Sequence, residues 1–391
     1  MKLLIITDRV EGNSNKGSEV FCSELTHRLR NGNQVTVITG SDSGAEVENG
    51  DGIIRIGSGL VFDPETLQER LTKRVSVSDF DLIYNLGGML FGNTVAATLI
   101  ASNGPLPLVN HFQAMLGSYA RQEGYSDQTV ESNRESQKQI ARQGILNIFL
   151  SQSEFKDAMV AGFDISRCEV SVIPAGVRYK DLRSVAAGDG LLPPARGDGK
   201  RPTVYLAAGR FDDYIKGGDL IYRAFTYLYD RTPDVFLLVI SNSHRFSNIL
   251  RDLPESAYRI VDWMPRPEFL AALAAVDVVA LPSRYESFGL IAVEAMMLGK
   301  PVVANNVGGL QEIVHYGKTG MLNDLREGSF GLYRAMRVFA DDARLRAELG
   351  NAGRRHAERE FDLDRVGDLV QKSLDATLMR HRSLASSFPY M

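Results

Sequence analysis

Short runs of β-branched and aliphatic residues recur along the first half of the chain, at "KLLIIT", "QVTVIT", "GIIRIG", "DLIYNL", "PLVNHF", "ILNIFLSQS" and "EVSVIPAG". Segments of helical length separate them. That alternation predicts a parallel α/β sheet. The rhythm pauses over residues 183–202, "RSVAAGDGLLPPARGDGKRP", a glycine-, proline- and charge-rich stretch without apolar period that reads as an interdomain linker. It resumes with "PTVYLAAG", "VFLLVIS", "YRIVDW", "VDVVALPS", "PVVANN" and "TGMLND", which predicts a second α/β domain. From about Arg326 the chain is charged and helical, and "FDLDRVGDLVQKSLDATLMRH" carries Leu363, Val366, Leu369 and Val370 at helical spacing. The expected organisation is a first domain over 1–182, a linker over 183–202, a second domain over 203–361, and a helical segment over 362–391 that packs back toward the first domain.

Ligands of open α/β sheets lie at the carboxyl ends of strands, so two such domains facing each other would form a cleft there. A length of 391 residues accommodates two cores of ordinary size, and 44% apolar with 24% charged residues is a soluble globular composition. A net charge of −4 gives no bulk attraction to nucleic acid or acidic membranes. Nucleic-acid binding is therefore not expected. The two cysteines, Cys22 and Cys168, fit neither a disulfide framework nor a zinc site. No apolar run approaches the roughly 18 residues of a membrane span. The protein is expected in the cytoplasm, free or peripheral at the inner face of the membrane.

Candidate chemistry concentrates in "RYESFGLIAVEAMMLGKPVVANNVGG", where Glu286 and Glu294 bracket a Ser-Phe-Gly step. Ser287 is read as the N-cap of a helix whose apolar residues run to a stop at Gly299 and Pro301. The free amides of its first turn then belong to residues near Phe288, Gly289 and Leu290, a seat for a phosphate. Carboxylates accept from hydroxyls, so acids on either side of a bound pyrophosphate suit a nucleotide sugar. Two solvated acids on a buried helix would leave the same spacing.

A second cationic element lies in "YLAAGRFDDYIKGGDLIYRAF", with Arg210 at a strand exit and Lys216 before Gly217 and a helix. Two fixed cations beside a helix N-terminus meet the charge that concentrates on a departing diphosphate, and stand in for a divalent metal. The neighbouring acids Asp212 and Asp213 are read as solvated rather than metal-binding. No metal or other cofactor is expected.

The ordered set "AAGR", "KGG", "LPSRYESFGLIAVEAMMLGKPVVANNVGGLQEIV" and "GKTG", spanning most of residues 201–324, resembles the retaining glycosyltransferases of family 4, the glycosyl transferases group 1, with the GT-B fold. The resemblance implies two Rossmann-like domains with parallel sheets facing across a cleft. It implies that Arg210 and Lys216 bind the donor diphosphate and that Glu294 accepts from the ribose hydroxyls. Glu286, with Ser287 and the amides of Phe288 to Leu290, would hold the sugar and phosphates. Residues around Asp262 to Met264 would lie near the nucleobase, with Trp263 in place of the small residue often found there.

In the first half, "TDRVEGNSNKGSEVFCSEL" resembles the family's first glycine loop, with Gly17 and Ser18 at its turn. His111 ends the "PLVNHF" run, where the family pattern has a histidine that contacts the donor sugar. Ala175 stands where the family usually carries Asn before glycine. The polar stretch "GSYARQEGYSDQTVESNRESQKQIARQ" reads equally as an acceptor-side wall or a solvated face.

Together these imply a metal-independent hexosyltransferase. It would move sugar from a nucleoside diphosphate sugar, a UDP-sugar first, to a hydroxyl acceptor in polysaccharide or glycoconjugate synthesis. The acceptor would be a saccharide, a lipid-linked saccharide or a small molecule. A nucleotide-sugar epimerase on the same fold, or a non-catalytic nucleotide-sugar-binding protein, is the alternative.

Overall fold

The computed structural model describes residues 1–7, 17–41, 47–49, 52–57, 63–88, 90–103, 106–113, 127–195, 199–242 and 247–387. The chain divides into two compact units, one of Met1–Gly176 with Leu363–Met391, the other of Val177–Asp362.

Among the described residues of the first unit eight strands form one sheet: β1 (Lys2–Thr7), β2 (Gln34–Ser41), β3 (Val47–Asn49), β4 (Ile53–Gly57), β5 (Leu82–Gly87), β6 (Leu108–Phe112), β7 (Leu146–Phe149) and β8 (Glu169–Val172). Their order is β3-β4-β2-β1-β5-β6-β7-β8. Every pairing is parallel except β3 with β4. The apolar runs predicted as strands account for seven of these; β3 is a short Val-Glu-Asn edge with no apolar run to announce it. Strand residues such as Leu4, Ile6, Ile38 and Ile83 pack against Phe91, Val95 and Leu99 of the helix Leu90–Asn103.

Three asparagines interrupt this apolar sheet in register. Asn85 pairs with Asn110, and Asn110 with Asn147, across β5, β6 and β7. Asn85 Nδ2 donates to Asn110 Oδ1 at 3.2 Å and Asn110 Nδ2 to Asn147 Oδ1 at 2.9 Å, so each buried amide finds a neighbour. The terminal helix Leu363–Ser387 buries Leu363, Val366, Val370, Leu374 and Leu378 along one stripe. Its other side meets the helix Gly17–Arg30, where Arg28 bridges Asp364 at 3.3 Å and Asp368 at 2.5 Å.

Among its described residues the second unit holds six parallel strands: β9 (Thr203–Ala208), β10 (Val235–Ile240), β11 (Tyr258–Val261), β12 (Val278–Leu281), β13 (Val302–Asn305) and β14 (Gly320–Asn323). Their order is β11-β10-β9-β12-β13-β14. The strand order reverses between β9 and β12, and the crevice outside such a switch point is where doubly wound sheets bind ligands. The loops that leave β9 and β12 are the two motifs singled out above.

Residues 183–202, expected as a linker, fall inside the second unit. Gly188 N donates to Ala271 O at 3.0 Å and Arg259 reaches Gly190 O at 3.2 Å. The chain instead passes between the units at Gly176–Val177 and Asp362–Leu363. Within the second unit, Val177 N donates to Phe361 O at 2.9 Å.

Candidate active site

The loop after β12 runs into the helix Leu290–Met297. Its N-cap is Gly289 at φ 113°, not Ser287, and no side chain caps it. A left-handed φ there suits glycine, and it moves the helix start two residues beyond the expected one. The orphan first-turn donors are therefore the amides of Leu290 and Ile291, with Ala292 N already bonded to Gly289 O at 2.9 Å. Phe288 is buried, with its ring edge-on to Phe361 at 5.7 Å. The "NNVGG" turn braces this loop from behind: Gly309 N donates to Glu286 O at 2.8 Å. A Cβ on Gly308 would stand 1.8 Å from that same oxygen.

The loop after β9 carries Arg210 and then a single 3-10 turn, Tyr214–Lys216. Gly217, at φ 68°, closes the turn and caps the helix Gly218–Tyr229. A Cβ on Gly217 would lie 2.1 Å from Pro282 O, so a glycine here lets the two loops touch. Lys216 Nζ meets Glu286 Oε2 at 2.9 Å, with Ser283 Oγ at 3.4 Å from the same oxygen. Arg210, half-exposed, pairs with Asp213 at 3.1 Å. Asp213 is thus a partnered, mostly covered acid rather than the solvated one expected.

Glu294 is 3% exposed and pairs with Arg266 at 2.6 Å. Burial pushes its carboxyl above the ordinary range while Arg266 pulls it back. Arg266 is a residue sequence reading missed, because 28 positions separate it from its partner. Trp263 stacks on Phe269 at 5.5 Å, and its backbone N donates to Asn242 Oδ1 at 2.6 Å. The indole thus serves as packing for the helix Arg266–Ala275. Among the described residues, no three His, Cys, Asp or Glu side chains gather as a metal site would require.

In the first unit Gly17 and Ser18 open the helix Gly17–Arg30; residues 8–16 of the glycine loop lie outside the described residues. So do 117–126 of the polar stretch, while 127–143 are a helix whose Gln137 Nε2 donates to Gly88 O at 3.1 Å. Ala175 is fully buried.

His111 sits near the carboxyl end of β6 and is fully buried, with Nδ1 at 2.6 Å from Tyr84 Oη. Burial holds the Tyr84 hydroxyl well above its ordinary range and pushes His111 down to about 3. With Tyr84 donating, the neutral ring carries its proton on Nε2, which has no hydrogen-bond partner among the described residues. Two residues on, Gln113 is 7% exposed, and neither of its amide atoms has such a partner. The Gln113 amide, missed in the sequence, thus joins His111 Nε2 as a buried polar group without a hydrogen-bond partner among the described residues.

A pH prediction follows from His111. A folded value near 3 lies below the ordinary 6.5, so its stabilising contribution is complete above pH 6.5 and declines as pH falls from 6.5 toward 3. Between pH 7 and 5 the first unit should lose about 2 kcal/mol through this group. Denaturant melts should show that loss in the native protein and a smaller one in His111→Gln; identical acid sensitivity would remove His111 as its source.

With the geometry in place, residues 202–342 match the glycosyl transferases group 1 family. Over this domain the chain is similar to that family. It is 30% identical over 248 residues to a Streptomyces avermitilis protein named D-inositol 3-phosphate glycosyltransferase, a match covering 60% of this chain and 53% of that protein. The chain thus spans about half the length of that relative. Sucrose-phosphate synthase from Thermosynechococcus elongatus superposes with a TM-score of 0.76 at 20% identity, over 97% of this chain and 99% of the other. Anabaena HepE, crystallised with UDP and glucose, gives 0.72 at 20% identity, over 96% and 100%. These likenesses show the fold: two Rossmann-like α/β units of the GT-B class.

Proposed function

We propose that this protein is a glycosyltransferase of that family and transfers a hexosyl group from a nucleoside diphosphate sugar, a UDP-sugar, to a hydroxyl acceptor with retention at the anomeric carbon. The observation that carries the reading is the arrangement around the switch point of the second unit. Lys216 from the β9 loop and Glu286 from the β12 loop meet at 2.9 Å, beside the helix whose Leu290 and Ile291 amides are free to face an anion. Lys216 and Arg210 supply fixed positive charge for the terminal phosphates, which is the work a divalent metal would otherwise do, so the reading includes none. Glu286 and the orphan amides hold sugar and phosphate, and the buried Glu294 accepts from the ribose hydroxyls. In the first unit, His111 Nε2 and the Gln113 amide are hydroxyl-binding groups.

The chemical step follows from charge placement. The bond from anomeric carbon to phosphate oxygen breaks with its electron pair going to the phosphate. The acceptor oxygen bonds to the anomeric carbon from the same face. Its proton passes to the departing phosphate oxygen, so no enzymic nucleophile is needed. The UDP choice is supported by the UDP that HepE carries in a like fold. An acceptor panel of free saccharides, lipid-linked saccharides and D-inositol 3-phosphate, the compound named for the Streptomyces relative, samples the classes of product. The expected setting is polysaccharide or glycoconjugate synthesis in the cytoplasm, with or without peripheral membrane contact. Among the described residues no helix is long and apolar enough to cross a membrane.

Glu294→Gln keeps the volume of the side chain and weakens its hydroxyl bonds. UDP affinity should fall about tenfold, the worth of a charged hydrogen bond. Calorimetric titration with UDP decides it, and an unchanged affinity would remove the ribose role.

A further inference from the structure

Beside the two loops lies an arginine that the donor-site reading does not use. Arg284, in the loop after β12, sends its guanidinium back to the β9 side. Nη1 and Nη2 meet the two oxygens of Asp219 at 2.8 Å each, a bidentate fork. Nη1 also donates to Tyr214 O at 2.7 Å, and the guanidinium carbon lies 3.8 Å from the centre of the Tyr214 ring. Its own backbone N donates to Ile215 O at 2.6 Å. The side chain is only 13% exposed, so these bonds are shielded from water and salt. One residue therefore grips both ends of the short turn Tyr214–Lys216: the carbonyls of its first two residues, and Asp219 in the first helical turn beyond it.

We propose that Arg284 is a positioning residue: its clamp on Asp219 and the Tyr214–Lys216 turn sets where the Lys216 ammonium stands relative to Glu286 and the terminal phosphate of the donor. The Lys216–Glu286 and Arg284–Asp219 links between these segments differ in fate. Lys216 and Glu286 pair with each other here, yet each is assigned to ligand, so that link opens when a nucleoside diphosphate enters. The Arg284–Asp219 link touches no ligand-binding group and stays closed, keeping the turn that carries Lys216 in place while its side chain changes partner. Placement of a cation before charge develops is what makes it effective, because no reorganisation is then required. Lysine at 284 would keep the charge and lose both the planar fork and the stacking on Tyr214.

This inference rests on the donor-site reading, and one experiment separates their failures. A panel of UDP, GDP and ADP identifies the diphosphate the native protein binds; the matching monophosphate lacks the phosphate assigned to Lys216. Calorimetry then compares native protein, Arg284→Lys, Lys216→Ala and the double variant, with isosteric Asp219→Asn as a second break of the clamp. Diphosphate affinity should fall about tenfold in Arg284→Lys and in Asp219→Asn. Monophosphate affinity should hold within about twofold, and Arg284→Lys should add less than about twofold in the Lys216→Ala background. Unchanged diphosphate affinity overturns the proposal. So does an equal loss for both nucleotides, or a loss that persists without Lys216, since either marks a merely structural contact. A native protein that binds no diphosphate defeats the donor-site reading, and the clamp proposal falls with it.

Discussion

Replacing Lys216 with alanine should slow sugar transfer by about a hundredfold, the scale of removing one preorganised charge from a developing anion. The donor's diphosphate is bonded to sugar in the ground state, and its terminal phosphate gains charge only as that bond breaks. In the proposed role, Lys216 should therefore bind the product diphosphate more strongly than the intact donor. In Lys216→Ala, kcat and UDP affinity should fall while UDP-sugar affinity changes little. The change also strips Glu286 of its partner at 2.9 Å, and Glu286 is 24% exposed, so water can replace the lost contact. Steady-state kinetics with product-inhibition constants checks the split. Parallel losses in kcat and in UDP-sugar affinity would make Lys216 a ground-state clamp instead.

Gly308→Ala should be among the severe substitutions in the second unit. The new methyl would stand 1.8 Å from the Glu286 carbonyl, at a φ of 48° that side-chain-bearing residues seldom adopt. Both terms act against the native state, and together they amount to about 3 kcal/mol. Relief requires the "NNVGG" turn and the Glu286 loop to part, which breaks the 2.8 Å bond from Gly309 N to Glu286 O. The denaturant midpoint of the second unit should fall and UDP binding should weaken with it. A variant of native stability that binds UDP normally would show that the two turns are not interdependent. Gly299→Ala is a useful control, because its φ is also positive while nothing lies within 4 Å of the added carbon.

The sheets were legible because parallel strands buried on both faces write themselves as unbroken apolar runs. β3 was not, since a three-residue edge strand of Val, Glu and Asn has neither run nor alternation. Residues 183–202 read as a linker because composition records polarity and not hydrogen bonds. The stretch is anchored by a backbone bond, Gly188 N to Ala271 O, which leaves no trace in residue type. The helix start was misplaced by two residues for a related reason. Ser287 is the better capping side chain, but Gly289 is the residue whose backbone can make the left-handed turn.

Within the candidate site, Arg210 stood out at a strand exit, Lys216 before a helix, and Glu286 and Glu294 as acids bracketing a Ser-Phe-Gly step. Two pairings in and beside the site did not. Glu294 finds Arg266 at a separation of 28 residues and Arg284 finds Asp219 at 65, distances over which a single sequence carries no pairing signal. The first unit shows the converse. His111 stood out because the family pattern carries a histidine at that strand end, yet its Nδ1 is already engaged with Tyr84. Gln113, an ordinary amide by sequence, is the one with both polar atoms buried and unpartnered among the described residues. Gln113 lies one residue beyond β6, where no sequence pattern marked it.

In the proposed function the second unit holds a nucleoside diphosphate sugar at the loops leaving β9 and β12. The most direct test incubates the native protein and Glu294→Gln with UDP-, GDP- and ADP-glucose and measures thermal stabilisation together with slow release of the nucleoside diphosphate. Stabilisation and release by one donor, both diminished in Glu294→Gln, is the predicted result. Absence of stabilisation and release with every donor, from a protein that melts cooperatively, would contradict it.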